Sequence, residues 1–317
     1  MIIDDIAQAV TALSTGRLCA IPTETVYGLA ANALDESAVA RVFAAKERPA
    51  DHPLIVHVAT AGDANEWIAE LPQWAHKLAA AVWPGPLTLV GPRTEIASDS
   101  VTGSQDTVAV RVPSHPIAHE LLSKLKAEGI HGLVAPSANR FGHVSPTSAA
   151  HVSADLGEYL SAHGDLILDG GDCEVGLEST IVLATGPAPV ILRPGAITSS
   201  DIERITGIAV ATAEDNSPRV SGALDSHYAP RANVVLVTDV SKIAALPNAG
   251  FLALADVETP AGFIRLGSPA SINEYAHELY GCLRAGDDKE LETIYVVPPV
   301  GLGLAQAIND RLQRAAF

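Results

Sequence analysis

The sequence predicts an α/β protein with two domains, and three observations support this prediction. Short apolar segments typical of buried strands alternate with amphipathic segments typical of helices. The alternation is interrupted over residues 208–232, where Pro, Gly, Ser and charged residues occur with no sustained period. The chain has 317 residues, of which 48% are hydrophobic, so it is long and apolar enough for two cores. We predict a first domain over 1–207, a linker over 208–232 and a second domain over 233–317.

The first domain is expected to contain strands separated by loops and helices. A buried strand at 17–21 is followed by a loop over 22–34, and then by a helix from the capping residue Asp35 to Lys46. A second helix is predicted over 116–129, between a proline at its start and a glycine at its end. The late strands are closely spaced, which indicates that part of the sheet is antiparallel. The remaining predicted strands are 53–58, 86–90, 107–112, 132–136, 165–169, 179–184 and 189–193.

The second domain repeats the alternation on a smaller scale. Its sequence shows no internal repeat and no low-complexity tract. We therefore expect a small α/β unit. Its predicted strands are 233–239, 250–255, 263–267 and 294–299, and its predicted helices are 271–286 and 303–316.

Charge and cysteine content restrict the ligands and the location of the protein. The formal net charge is −17, which opposes tight binding of a long polyanion but is compatible with a small anion in a local pocket. No apolar run of about 18 residues predicts a membrane-spanning helix, and the N-terminus lacks the basic flank of a signal peptide. Cys19, Cys173 and Cys282 have no CxxC spacing, which is typical of reduced thiols. We expect a cytoplasmic protein that does not associate with membranes.

Polar residues concentrate in loops after predicted strands, where open α/β sheets bind ligands. The first loop places Thr23, a carboxylate and a tyrosine directly after a buried strand, although a turn capped by hydroxyl groups explains the same residues. The second region has Lys46 and Arg48 at a helix end and His57 at a strand end. The two cations suit a polyphosphate, but they also suit the helix dipole, and a lone histidine is more often structural.

Two further loops lie in the second half of the domain. Residues 135–147 carry Ser137 and Asn139 ahead of a helix that we expect to begin near Thr147, so hydroxyls and backbone amides could hold phosphate or adenine. Residues 170–180 contain GG and EST elements, which tight turns between strands would also explain.

Established catalytic motifs give no further guidance. The sequence lacks the Walker and GxGxxG patterns of common nucleotide folds, the GxSxG elbow of serine hydrolases and the HExxH spacing of zinc enzymes. Cys173 has no basic neighbour in sequence that would lower its pKa, so we do not assign it as a nucleophile.

Taken in order, these loops strongly resemble those of the YrdC-type threonylcarbamoyl-AMP synthases in their two-domain form. The resemblance extends over about residues 15–200, and the linker motif SHYAP at 226–230 and the C-terminal helix also match the long members. It departs at Ser221-Gly222-Ala223, where relatives often carry Pro-Gly-Met. The matching segments are PTETVYGLAANA, KERP with HPLIVHV, WPGPLTLV, DTVAVRVPSHP, APSANRFGHVSPT, GGDCEVGLESTIV and ILRPG.

The resemblance implies a nucleotidyltransferase that converts L-threonine, bicarbonate (or CO2) and ATP into threonylcarbamoyl-AMP and pyrophosphate. A separate transferase complex then passes the threonylcarbamoyl group to adenosine in tRNA, so tight direct binding of tRNA is not expected. The implied fold is a twisted mixed open sheet with helices, joined to a smaller Rossmann-like α/β domain. A linker can lie across the basic cleft of the sheet domain. Mg2+ is expected to accompany ATP, and no side chain is named as its ligand.

The family's site residues are carried over at the matching positions. Lys46 and Arg48 are the implied catalytic cations, Arg111 is the implied partner of the threonine carboxylate, and Tyr228 would close over the nucleotide. The implied ATP site comprises Lys46, Arg48, Thr107, Ser137, Asn139, Ser145, Arg193 and Tyr228, and the implied L-threonine site comprises Thr23, His57, Arg111 and Ser179.

Two alternatives are weighed against this function. An RNA-binding module that recognises tRNA or double-stranded RNA would use the same basic loops, but the net charge of −17 opposes it. A hydrogenase-maturation protein that uses carbamoyl phosphate shares the first domain, but such proteins carry an acylphosphatase domain and paired cysteines that this sequence lacks. The enzyme reaction itself needs no protein nucleophile, because positioning of the reactants contributes up to about 7–11 kcal/mol.

Overall fold

The computed structural model describes residues 1–214, 216–222, 227–243 and 248–317. Within these ranges the strands form two sheets, and helices pack against both. The predicted fold class, a mixed sheet domain followed by a smaller α/β domain, is therefore confirmed, whereas the boundaries at 207 and 233 remain predictions. Five residues of the predicted linker, Asp215 and residues 223–226, lie outside the described residues, and they include Ala223 and Ser226 of the motifs named above.

The strands are short and largely buried. Those of the first sheet are β1 (Ile2–Ile3), β2 (Cys19–Ile21), β3 (Gly28–Asn32), β4 (Ile55–His57), β5 (Leu87–Pro92), β6 (Thr107–Arg111), β7 (Leu133–Val134), β8 (Leu166–Leu168), β9 (Thr180–Leu183) and β10 (Val190–Arg193). Those of the second sheet are β11 (Asn233–Leu236), β12 (Ala249–Leu252), β13 (Ile264–Gly267) and β14 (Thr293–Val296).

Helices connect many of the strands. In the described parts of the chain, none of them combines the length and the apolar character that a membrane crossing requires. The helices are α1 (Ile6–Ser14), α2 (Glu36–Lys46), α3 (Ala64–Trp67), α4 (Gln73–Val82), α5 (Asp99–Thr102), α6 (Pro116–Ala127), α7 (Ala149–Ala162), α8 (Ser199–Thr206), α9 (Ile272–Asp288) and α10 (Leu304–Ala315). Of these, α1, α3, α4, α5 and α8 lie outside the elements predicted from the sequence.

The first sheet brings the polar loops to one place. Its ten strands have the order β1-β8-β2-β3-β7-β4-β6-β5-β9-β10 and mix parallel with antiparallel pairs. The late strands β9 and β10 are antiparallel, as predicted. Strands β4 and β6 are parallel neighbours, and their register sets His57 opposite Arg111. The second sheet has the order β11-β14-β12-β13 and is parallel throughout.

Helix α2 shows how the local sequence builds one wall of the cleft. The side chain of Asp35 accepts hydrogen bonds from the backbone amides of Ser37 and Ala38, which caps the helix where the sequence predicts. The helix ends at Lys46, because Glu47 adopts a left-handed conformation with φ of 54°. This end places Lys46 beside the loop that follows β7.

The prediction of a loop over 22–34 is wrong in its second half, where β3 forms. Strand β3 pairs antiparallel with β2, and Ile21 lies opposite Gly28. The segment GLAAN lacks β-branched and aromatic residues and has no polar alternation, so its sequence does not indicate a strand. Leu29, Ala30 and Ala31 are fully buried, so the strand has no solvent-facing side to produce an alternating pattern.

The two sheet domains share an apolar cluster. Val26 and Leu177 of the first domain and Tyr228 of the linker belong to the same buried cluster as Leu279 of α9 and Ile308 of α10. The second domain therefore packs directly behind the loops that carry the predicted site residues.

Candidate active site

A cleft lies where the loops after several strands of the first sheet meet the linker. The empty space between its walls, including the part open to solvent, is about 530 Å³. Ser221, Gly222, His227 and Tyr228 of the linker lie across it. The predicted site residues that line the cleft are Thr23, Arg48, His57, Arg111, Ser137, Ser179, Arg193 and Tyr228.

Arg111 is held at the cleft by two residues of the first loop. Its Nη1 donates to Thr25 Oγ1 at 2.8 Å, and its Nη2 lies 2.7 Å from Glu24 Oε1 in a buried ion pair. The angles of that pair do not satisfy hydrogen-bond geometry, so Nε and Nη2 have no hydrogen-bond partner among the described residues. Both oxygens of Glu24 also lack a hydrogen-bond partner among them, and Oε1 is held by the ion pair alone. Nε and Nη2 form the edge that binds a carboxylate with two parallel hydrogen bonds.

His57 and Thr23 complete this side of the cleft. The pKa of His57 is lowered to about 3, mainly because burial disfavours the charged ring and secondly because Arg111 is close. The ring is therefore neutral at physiological pH and acts through hydrogen bonds rather than charge. Its Nδ1 lies 3.2 Å from the carbonyl oxygen of Ile55. Thr23 Oγ1 donates to the carbonyl of Val26 at 2.6 Å.

Lys46 is close to the cleft but does not belong to the described residues that line it. Its ammonium group donates to the carbonyl oxygens of Ser137 at 2.5 Å and Asn139 at 2.6 Å. Burial, with a smaller contribution from Arg48, holds the pKa of Lys46 well below its usual value. In this geometry Lys46 fixes the loop of the SxN element, and its role at a phosphate remains a prediction.

Arg48 faces the cleft directly. Its Nη2 donates to the carbonyl of Pro53 at 3.0 Å and to Ser221 Oγ at 3.1 Å, while Nε is unpartnered among the described residues. Burial lowers the pKa of Arg48 to about 10, so the side chain keeps its charge at neutral pH. A donor that is buried, charged and unpartnered is costly unless a ligand satisfies it.

Three other residues predicted for the ATP site are not among the described residues that line the cleft. Asn139 Nδ2 donates to the carbonyls of Arg140 and His143, which folds its own loop. Ser145 Oγ donates to Glu178 Oε1 at 2.5 Å. Thr107 lines a neighbouring depression that shares Ser221 with the cleft. The roles of these residues at the nucleotide also remain predictions.

Arg193 and Tyr228 connect the sheet to the linker. Arg193 donates from Nε and Nη2 to the carbonyl of Ser179 and from Nη1 to the carbonyl of Ser221. Tyr228 is 1% exposed and has a positive φ of 62°, which is a strained conformation for a non-glycine residue. Its ring lies 4.1 Å from that of His227, and its hydroxyl is unpartnered among the described residues.

Two carboxylates at the cleft have no role in the sequence prediction. Glu24 pairs with Arg111, and Glu178 lines the cleft beside Ser179. One feature of the sequence could have pointed to them. Glu24 in TET and Glu178 in EST each lie in an otherwise buried segment, where a carboxylate needs a cation from elsewhere in the fold. Those cations are distant in sequence, so pattern alone cannot identify them.

The cysteines do not contribute reactive groups. Cys19, Cys173 and Cys282 are free and buried, and burial raises the pKa of each thiol to about 12. Thiols with such pKa values are poor nucleophiles at neutral pH.

Known proteins match this chain over both domains. Residues 11–195 match a family model described as telomere recombination, which groups the Sua5, YciO and YrdC proteins. Residues 197–317 match the model described as the C-terminal domain of threonylcarbamoyl-AMP synthase.

Individual relatives agree with the family models. The threonylcarbamoyl-AMP synthase of Pyrococcus abyssi (strain GE5 / Orsay) is 38% identical over 316 residues, which cover 95% of this chain and 91% of that protein. The threonylcarbamoyl-AMP synthase of Bacillus subtilis (strain 168) is 36% identical, with coverage of 98% and 92%. The crystal structure of P. abyssi Sua5 complexed with L-threonine matches with a TM-score of 0.87 and 36% identity, covering 100% of this chain and 97% of that one. The chain therefore belongs to the threonylcarbamoyl-AMP synthase family, in its two-domain form.

Proposed function

We propose that this chain catalyses the formation of L-threonylcarbamoyl-AMP and pyrophosphate from L-threonine, bicarbonate (or CO2) and ATP. The observation that carries the proposal is the Nε and Nη2 edge of Arg111, which lies at the cleft of a protein of this family and has no hydrogen-bond partner among the described residues, although Nη2 is in an ion pair with Glu24. An amino-acid carboxylate satisfies that edge with two hydrogen bonds. The neutral ring of His57 and the hydroxyls of Thr23 and Ser179 then offer donors and acceptors to the rest of L-threonine.

ATP is proposed to occupy the cationic part of the cleft. Arg48 and Arg193 face the space beneath the linker, and Ser137 lies at its wall. A neighbouring loop is held in shape by Lys46. Tyr228 lies over the same space, and its hydroxyl has no hydrogen-bond partner within the described ranges. These groups suit a nucleotide polyphosphate better than they suit a neutral ligand.

Mg2+ is proposed to enter with the nucleotide. The described residues contain no group of three or more His, Cys, Asp or Glu side chains that could hold a metal ion. A nucleotide-bound Mg2+ needs few protein ligands, because phosphate oxygens and water supply most of its coordination. The ion would supply positive charge to the phosphate oxygens.

The proposed chemistry depends on positioning. Bicarbonate takes up a proton and loses water to give CO2. The threonine ammonium group releases two protons to solvent as its nitrogen forms a bond to the carbon of CO2, giving a carbamate. A carbamate oxygen then attacks the α-phosphorus of ATP, and the bond from that phosphorus to the pyrophosphate leaving group breaks. Arg48 and Arg193 would offset the charge that develops on phosphate oxygens. The linker would keep water from the labile carbamate and the mixed anhydride.

The product is proposed to pass to a separate transferase that modifies adenosine in tRNA. This order is consistent with the net charge of −17, which opposes tight binding of tRNA by this chain. We also propose that the reaction takes place in the cytoplasm, where free thiols such as those of the three cysteines stay reduced.

The proposal is tested by incubating the purified chain with labelled L-threonine, bicarbonate, ATP and Mg2+. We expect threonine-dependent release of pyrophosphate and labelled threonylcarbamoyl-AMP in equal amounts. Omission of threonine or of bicarbonate is the control. A folded protein that releases no pyrophosphate in response to threonine would refute the proposed function. Submicromolar binding of tRNA with a steep salt dependence would instead favour an RNA-binding function.

A further inference from the structure

We propose that Arg311 and Tyr280 of the second domain are positioning residues for the reaction, and that they act through Glu178 and Tyr228. The inference rests on the proposed function, because it assigns to these residues the alignment of the same cleft. It gives the second domain a defined part in catalysis.

The contacts of Arg311 carry the inference. Its side chain on α10 is fully buried, and its Nε donates to Glu178 Oε2 at 2.8 Å. Its Nη2 donates to the carbonyl of Pro194 at 2.9 Å, and its Nη1 pairs with Asp310. The guanidinium carbon lies 5.1 Å from the centre of the Tyr228 ring, in the range of a cation–π contact. One side chain of the second domain thus contacts the segment before β9, the loop after β10 and the linker.

Glu178 transmits these contacts to the cleft. It lines the cleft, and its Oε1 accepts from Ser145 Oγ at 2.5 Å. Its Oε2 accepts from Tyr280 Oη of α9 at 2.9 Å in addition to Arg311. Burial opposes ionisation of this carboxyl, but the charges of Arg311 and Arg193 outweigh it and lower the pKa of Glu178 to about 2. The carboxylate is therefore ionised, fully hydrogen-bonded and fixed in place.

Ser179, the residue after Glu178, is the proposed point of contact with L-threonine. Ser179 is one of the predicted threonine-site residues, and its carbonyl accepts from Nε and Nη2 of Arg193. A shift of Glu178 therefore moves both the Ser179 hydroxyl and the anchor of Arg193. A displacement of about 1 Å in such a group is enough to reduce a rate by about a hundredfold.

The second point of contact is the linker. Tyr228 has the strained φ of 62°, and such a conformation persists where surrounding contacts hold it. Two of those contacts come from the second domain: the Tyr280 ring is stacked at 5.8 Å from the Tyr228 ring, and Arg311 lies over its face. The second domain thereby fixes the aromatic ring that covers the cleft.

Stability alone does not account for this network. A buried ion pair is weak evidence for stabilisation, because desolvation of the two charges offsets their attraction and apolar residues of similar size often serve as well. The apolar cluster between the domains already joins them without charges. What the charged network adds is a fixed geometry for Glu178, Ser145 and Tyr228 at the edge of the cleft.

Tyr280→Phe and Arg311→Met are the test variants, and Gln313→Met is the matched control, since Gln313 lies exposed on the same helix as Arg311. Wild type must first form threonylcarbamoyl-AMP; if it does not, the proposed function fails rather than this inference. We expect Tyr280→Phe, which removes one hydroxyl, to fold and to lower kcat/KM by about tenfold, the effect of one hydrogen bond to a charged group. Arg311→Met should lower kcat/KM by about a hundredfold or more, and Arg311→Lys should restore part of the loss.

The mode of action is tested by a double variant. If Arg311 acts through Glu178, then Glu178→Gln combined with Arg311→Met should be less damaging than the product of the two single effects. Multiplicative effects of the two changes would overturn the inference. Wild-type kinetics in a folded Tyr280→Phe variant would also overturn it, and this variant remains informative if Arg311→Met does not fold.

Discussion

Replacement of Arg111 by Lys tests the threonine site most directly. Nη1 of Arg111 donates to Thr25 Oγ1 at 2.8 Å, while its Nε and Nη2 edge has no hydrogen-bond partner among the described residues. Lysine keeps a positive charge beside Glu24 but presents a single ammonium group. It therefore cannot bind a carboxylate along a two-donor edge. The substitution changes the geometry of recognition and largely retains the charge.

The expected magnitude follows from the loss of one charge-assisted hydrogen bond. Such a bond contributes about 1.5–3 kcal/mol, and about 1.4 kcal/mol corresponds to a factor of ten in affinity. The KM for L-threonine should therefore rise by roughly 10- to 100-fold. The KM for ATP should change by less than about threefold, because the substitution leaves the groups assigned to ATP in place. The fold should persist, since Glu24 keeps a cationic neighbour.

The assay is pyrophosphate release with each substrate varied at saturating levels of the other. Arg204→Lys is the matched control, because Arg204 lies on the surface of α8 and pairs with Asp201. It should behave as wild type. An unchanged KM for L-threonine in Arg111→Lys, or an equal rise in KM for both substrates, would refute the assignment of Arg111 to the threonine carboxylate.

Three further predictions address the loop, the linker and the pH dependence. Lys46→Ala removes the donor to the carbonyls of Ser137 and Asn139. In the same assay the KM for ATP should rise at least about tenfold, and the KM for threonine should rise less than the KM for ATP. Gly222 has a φ of 78°, and a Cβ at this position would lie against the Tyr228 hydroxyl. Gly222→Ala should therefore loosen the linker, so that limited proteolysis cleaves it faster. An unchanged cleavage rate would contradict the close packing of Gly222 against Tyr228. Burial and the nearby charge of Arg111 lower the pKa of His57 to about 3, so its ring stays neutral in the folded protein at pH 5.5–7.5. In the unfolded chain the same ring takes up a proton below about pH 6.5. From pH 7.5 to 5.5 this residue should therefore lower the free energy of unfolding, measured in urea, by about 1.4 kcal/mol, and His57→Gln should remove that part.

The fold was predictable where hydrophobic pattern and local signals agree. Helix α2 begins after its cap Asp35 and ends at Lys46, as predicted, and α6 follows from its proline start. Strand β3 was not predictable, because GLAAN is buried on both sides and carries small residues with low strand propensity. The order of the ten strands depends on contacts between distant segments, which no local pattern contains.

The candidate site was predictable in part. The residues that hold its side chains in place were not predicted, and this has one physical cause. The resemblance identified cations and hydroxyls that the fold gathers around one cleft, among them Arg48, Arg111 and Ser179. It did not identify the groups that hold them. Glu178 and Arg311 are separated by 133 residues and meet only through the packing of the second domain, so their pairing is a property of the tertiary structure.

We expect the paired carboxylates to let a cationic cleft bind anions and still release them. Arg111 is accompanied by Glu24, and Arg193 lies in the field of Glu178, so part of the positive charge is balanced within the protein. In a buried site an unbalanced positive charge attracts any anion strongly. Without the two carboxylates, the cleft would therefore hold the pyrophosphate product tightly. With this balance, affinity depends on ligands that offer matched oxygen atoms to a guanidinium edge, which favours a carboxylate or phosphate in the right position. The net charge of −17 acts at longer range and opposes any polyanion at the outer surface, so we expect selection of the small substrates to depend on the geometry of the cleft.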